Sequence, residues 1–152
     1  MHRIRVYTIE KEIKDEFKSI ADSYKKMISK YAKFEHNICF SKAIAKAQKS
    51  ESNKAKKSYT DIYEKKFGSF NVALDEKGKL LDSIKFGEIF KREDEINFFI
   101  GGAYGFEDRF LQNCDEVISL SRLTFSHKIA KIVLFEQIYR ALSIVNNHPY
   151  HK

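Results

Sequence analysis

A chain of 152 residues, 43% hydrophobic and 32% charged, fits one domain with a real core, and its 13 Phe and 8 Tyr exclude a disordered chain. No apolar run approaches the ~18 residues needed to span a membrane, and the opening MHRIRVYTIEKEIKDEF lacks the unbroken apolar stretch of a signal peptide. The net charge of +7 is uneven, with 22 Lys and Arg against 15 Asp and Glu in residues 1–94 but 6 against 6 in 95–152. Such a basic excess attracts polyphosphate, although a merely solvated lysine-rich surface has the same composition.

RIRVYTIE at 3–10 interleaves Ile4, Val6, Tyr7 and Ile9 with basic and polar residues and predicts a first strand. Over 11–31, Ile13, Phe17, Ile20, Ala21, Tyr24, Met27, Ile28 and Tyr31 recur at helical spacing, a stripe wide enough to pack on a sheet. FEHNICF at 34–40 alternates again, with Phe34, His36, Ile38 and Phe40 on one face of a second strand. The lysine-rich stretch 41–67 predicts a helix with a mobile segment near Ser50–Lys57, where apolar residues are sparse. SFNVALD at 69–75 predicts a buried strand ended by a Lys77-Gly78-Lys79 turn, and Asp82 and Ser83 are good N-caps for a helix to about Lys91. EINFFIGG at 95–102 is an uncharged run into two glycines, as in a buried parallel strand. A short helix at 106–113, a strand EVISL at 116–120 and a loop SRLTFSH at 121–127 follow. From Lys128 to about Asn147 runs one long helix, so rich in apolar residues that a sheet face alone does not account for them. Strands alternating with helices predict an α/β fold, a mainly parallel sheet of about five strands flanked by helices, as a single domain over 1–152.

IGGAYG at 100–105 puts three of the six glycines at the carboxyl end of the clearest strand, where open α/β sheets bind ligands. A tight strand-to-helix turn would use the same glycines. Neither the dinucleotide fingerprint nor the P-loop motif occurs. His148-x-x-His151 invites a metal reading, but no nearby Cys or carboxylate completes a tetrahedral set, so no metal is expected. Cys39 and Cys114 lie far apart with no C-x-x-C, the usage of structural thiols in a reduced compartment such as the cytoplasm. Among the lysines of 42–66, Tyr59 and Tyr63 could stack on bases, while a solvated helix would need no partner at all.

Four linked segments, IGGAYG at 100–105, LSRLTFSH at 120–127, LFEQIYRA at 134–141 and HPYHK at 148–152, together resemble the RlmH family of SPOUT-class enzymes in order and spacing. Members of that family methylate N3 of a pseudouridine in helix 69 of bacterial 23S ribosomal RNA. The length, the opening strand and ALDEKGK at 73–79 also fit, whereas 41–67 resembles nothing in particular. The resemblance implies a SPOUT-type α/β knot, a deep trefoil in the C-terminal part, and S-adenosylmethionine as methyl donor. It implies a cofactor pocket of three loops: Leu74 from the first, Gly101, Gly102 and Gly105 from the second, and Leu120, Ser121, Arg122, Leu123, Thr124 and Phe125 from the third. Adenine would meet the backbone of the third loop between Leu74, Leu120 and Leu123, with the glycines admitting the rest of the cofactor. Gly101→Val is accordingly expected to block ligand volume.

The long helix would form a homodimer interface, and the tail of one chain would complete the partner's site. Arg140, Tyr150 and His151 are the implied catalytic groups, and His127 and His148 face RNA. The base that removes the N3 proton stays open among His127, His151 and solvent. A SPOUT enzyme acting on transfer RNA, or a noncatalytic ribosome-binding factor, is the alternative. This chain departs from the family in having Ser126 where proline is usual, which predicts a less rigid third loop, and in having Tyr104 where a small or acidic residue is usual.

Overall fold

Alternation along the strands divides their side chains between two helical layers. In β1 (His2–Ile9), Ile4 and Val6 face one layer and Tyr7 and Ile9 the other; in β4 (Glu95–Ile100), Ile96, Phe98 and Ile100 share the first face and Phe99 lies on the second. The first face buries residues of α1 (Glu16–Ile28), α4 (Ser83–Arg92) and α6 (His127–Val145). The second buries Ile44 of α2 (Lys42–Ser50), Ala55, Tyr59 and Tyr63 of α3 (Ser52–Tyr63) and Phe110 of α5 (Asp108–Asn113). The computed structural model describes all residues, Met1–Lys152. With β2 (Ala32–Cys39), β3 (Asn71–Leu80) and β5 (Glu116–Ser119), the sheet has the order β2-β1-β4-β3-β5, and every pairing is parallel. The α/β class and the five-stranded parallel sheet are as expected. Parallel strands point their carboxyl ends to one edge, so the second half of β3 and the loops after β4 and β5 meet there.

Helix caps explain most of the boundaries. Asp15 accepts hydrogen bonds from the amides of Phe17 and Lys18, so α1 starts at Glu16 and not at residue 11; Ile13, which continues the apolar period, lies outside the helix and is exposed. Asp82 caps α4 through the Lys85 amide, as its position predicts. Ser126 accepts from the Ile129 amide and caps α6, so the residue standing in place of proline fixes the junction of the third loop in another way.

Three further readings of the sequence are corrected. Lys77-Gly78-Lys79 does not end β3: the strand runs to Leu80, and a register shift sets both Leu74 and Lys79 opposite Ile118 of β5. A Cβ on Gly78 would stand 2.8 Å from the backbone of Val117 and Ile118, so only glycine lets this bulge lie on β5. Ser50–Lys57 forms the end of α2 and the start of α3, broken by the extended Glu51. Ala55, Tyr59 and Tyr63, four residues apart, bury one narrow stripe of α3 completely. The two tyrosines are therefore core residues and are not available to stack on bases. The Tyr63 hydroxyl donates to the Ile100 carbonyl at 2.6 Å, tying α3 to the strand that ends in the glycines.

Candidate active site

The bulge of β3 and the exit loops of β4 and β5 enclose a cleft of about 390 Å³, within the range of small-molecule sites. Of the residues assigned to a cofactor from sequence, Leu74, Gly101, Gly102, Gly105, Leu120, Ser121, Leu123, Thr124 and Phe125 all line it. Arg122 is not among the lining residues: its guanidinium donates to the Glu76 carbonyl, while the Thr124 hydroxyl donates to the Glu76 carboxylate at 2.7 Å. Both bonds stitch the third loop to the first. Within the third loop the Leu123 amide donates to Ser121 Oγ at 3.0 Å, so Leu123 offers the cleft its side chain, 72% exposed, rather than its N–H.

The three glycines have different reasons. A Cβ on Gly102 would stand 2.4 Å from the ring of buried Tyr59, and one on Gly101 would stand 3.3 Å from Gly105 Cα and Phe106 Cε2. Protein atoms stand beside both positions, so a Gly101→Val side chain would press on Gly105 and Phe106 as well as narrow the cleft that Gly101 lines. Gly105 has φ +79 with nothing within 4 Å of its missing Cβ, so it needs glycine for its left-handed backbone and leaves open space beside it.

Sequence reasoning missed several lining residues. Asp75, Glu76, Lys77 and Asp108 contribute charge to the cleft, and Lys56 reaches it from α3. The α2–α3 pair is held against the glycine loop by Gln48, whose side-chain oxygen accepts from the Tyr59 hydroxyl at 2.5 Å and whose carbonyl accepts from Tyr104 at 3.3 Å. Tyr104 thus has a local role. The four-residue spacing of Ala55 and Tyr59 was the available signal for this wall.

Arg140, Tyr150 and His151 gather elsewhere, around Glu136. Arg140 Nε and one terminal nitrogen donate to Glu136 Oε1 at 3.1 and 2.5 Å, and the Tyr150 hydroxyl donates to the same oxygen at 3.1 Å. The guanidinium lies 4.7 Å from the Tyr150 ring centroid, and its other terminal nitrogen is 3.2 Å from His151 Nδ1. Glu136 was missed, although a Glu four residues before an Arg on a helix is a recognisable pair. Burial, with the Glu136 carboxylate adding to it, raises the Tyr150 phenol above its ordinary value, so it stays protonated near neutrality. His148 is exposed, its ring edge-on to Tyr31 at 6.3 Å, and its amide bonds the Ser143 carbonyl at 2.8 Å. His127 lines the cleft at the start of α6, but the rise of that helix sets Arg140 about 20 Å further along.

Neither cysteine is primed as a nucleophile: burial, then the charge of Asp115, pushes the Cys114 thiol up to about 12, and burial raises Cys39. No group of three or more His, Cys, Asp or Glu side chains has the makings of a metal site, and no helix is long and apolar enough to cross a membrane.

The family described as "Predicted SPOUT methyltransferase" matches residues 2–151. The chain belongs to the SPOUT methyltransferase family. Among curated proteins, this SPOUT chain is 49% identical over 150 residues to ribosomal RNA large subunit methyltransferase H of Aliarcobacter butzleri, covering 99% of each. Proteins of the same name from Nitratiruptor sp. and Campylobacter concisus are 48% and 46% identical, over 100% and 98% of this chain and 100% and 99% of their own lengths. The solved structure of a probable methylase family protein from Haemophilus influenzae shares the fold, with TM-score 0.60 at 13% identity over 98% of this chain and 70% of that one.

Proposed function

We propose that this SPOUT methyltransferase transfers a methyl group from S-adenosylmethionine to N3 of a pseudouridine in helix 69 of 23S ribosomal RNA, working as a cytoplasmic homodimer. The observation that carries the reading is the cleft built from the β3 bulge and the exit loops of β4 and β5, in a chain nearly half identical to ribosomal RNA large subunit methyltransferase H proteins. The residues present suit the cofactor. Leu74, Leu120 and exposed Leu123 offer apolar surface for a purine ring, Asp75, Glu76 and Asp108 offer acceptors for hydroxyl and ammonium groups, and Lys56 offers a partner for a carboxylate. Gly105 leaves open space at its Cα. When bound, the sulfonium supplies an already activated methyl group, so the protein's task is chiefly alignment of the acceptor.

The apolar face of α6 supports a dimer. Ile129 is 39% exposed, Ile132 and Val133 are half-buried, and helical spacing sets Ile129, Val133, Glu136 and Arg140 on one side. Leu80 and Ile84 are exposed beside it, where Ser83 Oγ donates to Gln137. Since Arg140, Tyr150 and His151 stand well away from their own cleft, this face would bring them to the partner's, where Arg140 grips phosphate or base and His127 and His148 contact RNA. The same reading carries the trefoil knot of the C-terminal part. The excess of basic residues before residue 95 would steer ribosomal RNA over a long range.

Mass spectrometry of ribosomal RNA from a deletion strain tests the substrate, with loss of the helix 69 methyl group expected. Labelled cofactor with whole ribosomes, subunits, naked 23S RNA and transfer RNA separates the alternatives. Label in transfer RNA would make the chain a transfer RNA enzyme, and ribosome binding without transfer would make it a noncatalytic factor.

A further inference from the structure

Guanidinium groups only donate hydrogen bonds, and arginine does not lose its proton in proteins. Arg140 points one terminal nitrogen at His151 Nδ1 across 3.2 Å. Nδ1 must therefore present its lone pair, because a proton there would oppose N–H to N–H. That requirement excludes both the imidazolium and the Nδ1–H tautomer and leaves a neutral ring with its proton on Nε2. The arrangement is held from several directions. Arg140 is fixed by Glu136 Oε1 and by the Tyr150 ring, and Glu136 Oε2 accepts from Gln137 Nε2 at 2.7 Å. Gln137 in turn accepts from Ser83 of α4 at 2.7 Å.

We infer that Arg140 sets His151 as an Nε2–H donor, which hydrogen-bonds a carbonyl oxygen of the target base rather than taking its N3 proton; this rests on the methyltransferase reading above. A uracil-type base carries a carbonyl on each side of N3. When N3 gives its proton to solvent, the charge left behind spreads onto those oxygens. A donor placed there stabilises the anion that attacks, which makes the proton easier to lose. Tyr150 already gives its one hydroxyl proton to Glu136 Oε1 and Arg140 is held by Glu136, so His151 Nε2–H is the donor this arrangement leaves free for the base.

The tautomer is read directly by long-range nitrogen–proton correlation spectra of the full-length protein labelled with 15N-histidine, the His151 signals being those lost in H151A. The expected pattern is an unprotonated Nδ1 and a protonated Nε2 near neutral pH, relaxing toward a tautomer mixture in R140M. A protonated Nδ1 in the wild type, or a pattern unchanged in R140M, overturns the inference. Methylation of ribosomes supplies a second arm. Glutamine puts an N–H near the Nε2 position and asparagine near Nδ1, so H151Q should exceed H151N and H151A by about tenfold, the cost of one lost hydrogen bond of this kind. If all three variants fall together by about 10²–10⁴-fold, His151 is the base and the inference fails. Absence of methylation in the wild type would instead refute the proposed function, while the tautomer spectrum would still judge the Arg140–His151 pair.

Discussion

Lys131 of α6 donates to Glu10 Oε1, at the end of β1, across 2.8 Å, with both side chains more than nine-tenths buried. Burial pushes the Glu10 carboxyl up, but the hydrogen bond from Lys131, backed by the Lys131 charge, helps to outweigh it and hold it below its usual value. Its second oxygen has no partner. Replacing Lys131 with Met removes the principal counter-charge and leaves a buried carboxylate uncompensated, a loss of about 3–5 kcal/mol. With a urea slope of about 2 kcal/mol per molar, the unfolding midpoint should fall by roughly 2 M. Glu10→Met together with Lys131→Met should recover most of the loss, because an apolar pair of similar volume needs no compensation. Lys131 lies one turn after His127, so K131M should also loosen the third loop and weaken cofactor binding measured by calorimetry. A K131M midpoint within the equivalent of ~0.5 kcal/mol of wild type, the size of an ordinary surface change, would refute the reasoning.

Burial and the nearby Lys131 charge push the His36 imidazole down to about 4. Between that value and the unfolded value of about 6.5 the unfolded chain binds a proton that the folded chain refuses, so stability falls as pH is lowered, by about 1.5 kcal/mol from pH 6.5 to 5. Thermal melts should show this slope flattened in His36→Gln, and an equal slope in the variant would count against the assignment. Gly102→Ala should cost about 1–3 kcal/mol in denaturant titrations, since its Cβ falls 2.4 Å from the Tyr59 ring; an unchanged midpoint would mean that the α2–α3 wall yields freely. Mixed dimers of Arg140→Ala with a Leu120→Arg chain blocked at the cleft should regain methylation that neither parent dimer shows. Failure to complement would place the tail in the site of its own chain.

How far the sequence could be read depended on where each constraint resides. The cleft's three walls were legible because Leu74, the glycines at 101–105 and Leu120 lie where buried apolar runs stop, although β3 itself continues to Leu80; the linked segments 100–105 and 120–127 marked two of those stops. The start of α1 was not, since Ile13 keeps the helical period and only the capping bonds of Asp15 show that it lies outside. Tyr59 and Tyr63 looked like surface aromatics among lysines, and their burial follows from α3 packing on the second sheet face. Gly102 is constrained by Tyr59, far away in sequence, which no local motif could reveal. Asp75, Glu76, Asp108 and Lys56 escaped for the same reason: a cleft wall is a tertiary property. Glu136 was the exception, being readable from its spacing to Arg140 and overlooked.

The most direct test follows backbone amide signals of the 15N-labelled protein during titration with S-adenosylmethionine. Saturable shifts concentrated at 74–77, 100–106 and 120–125 are predicted, with the second cleft beside Glu10 and His36 silent. No shift at millimolar cofactor, or shifts centred away from those three loops, would contradict the account.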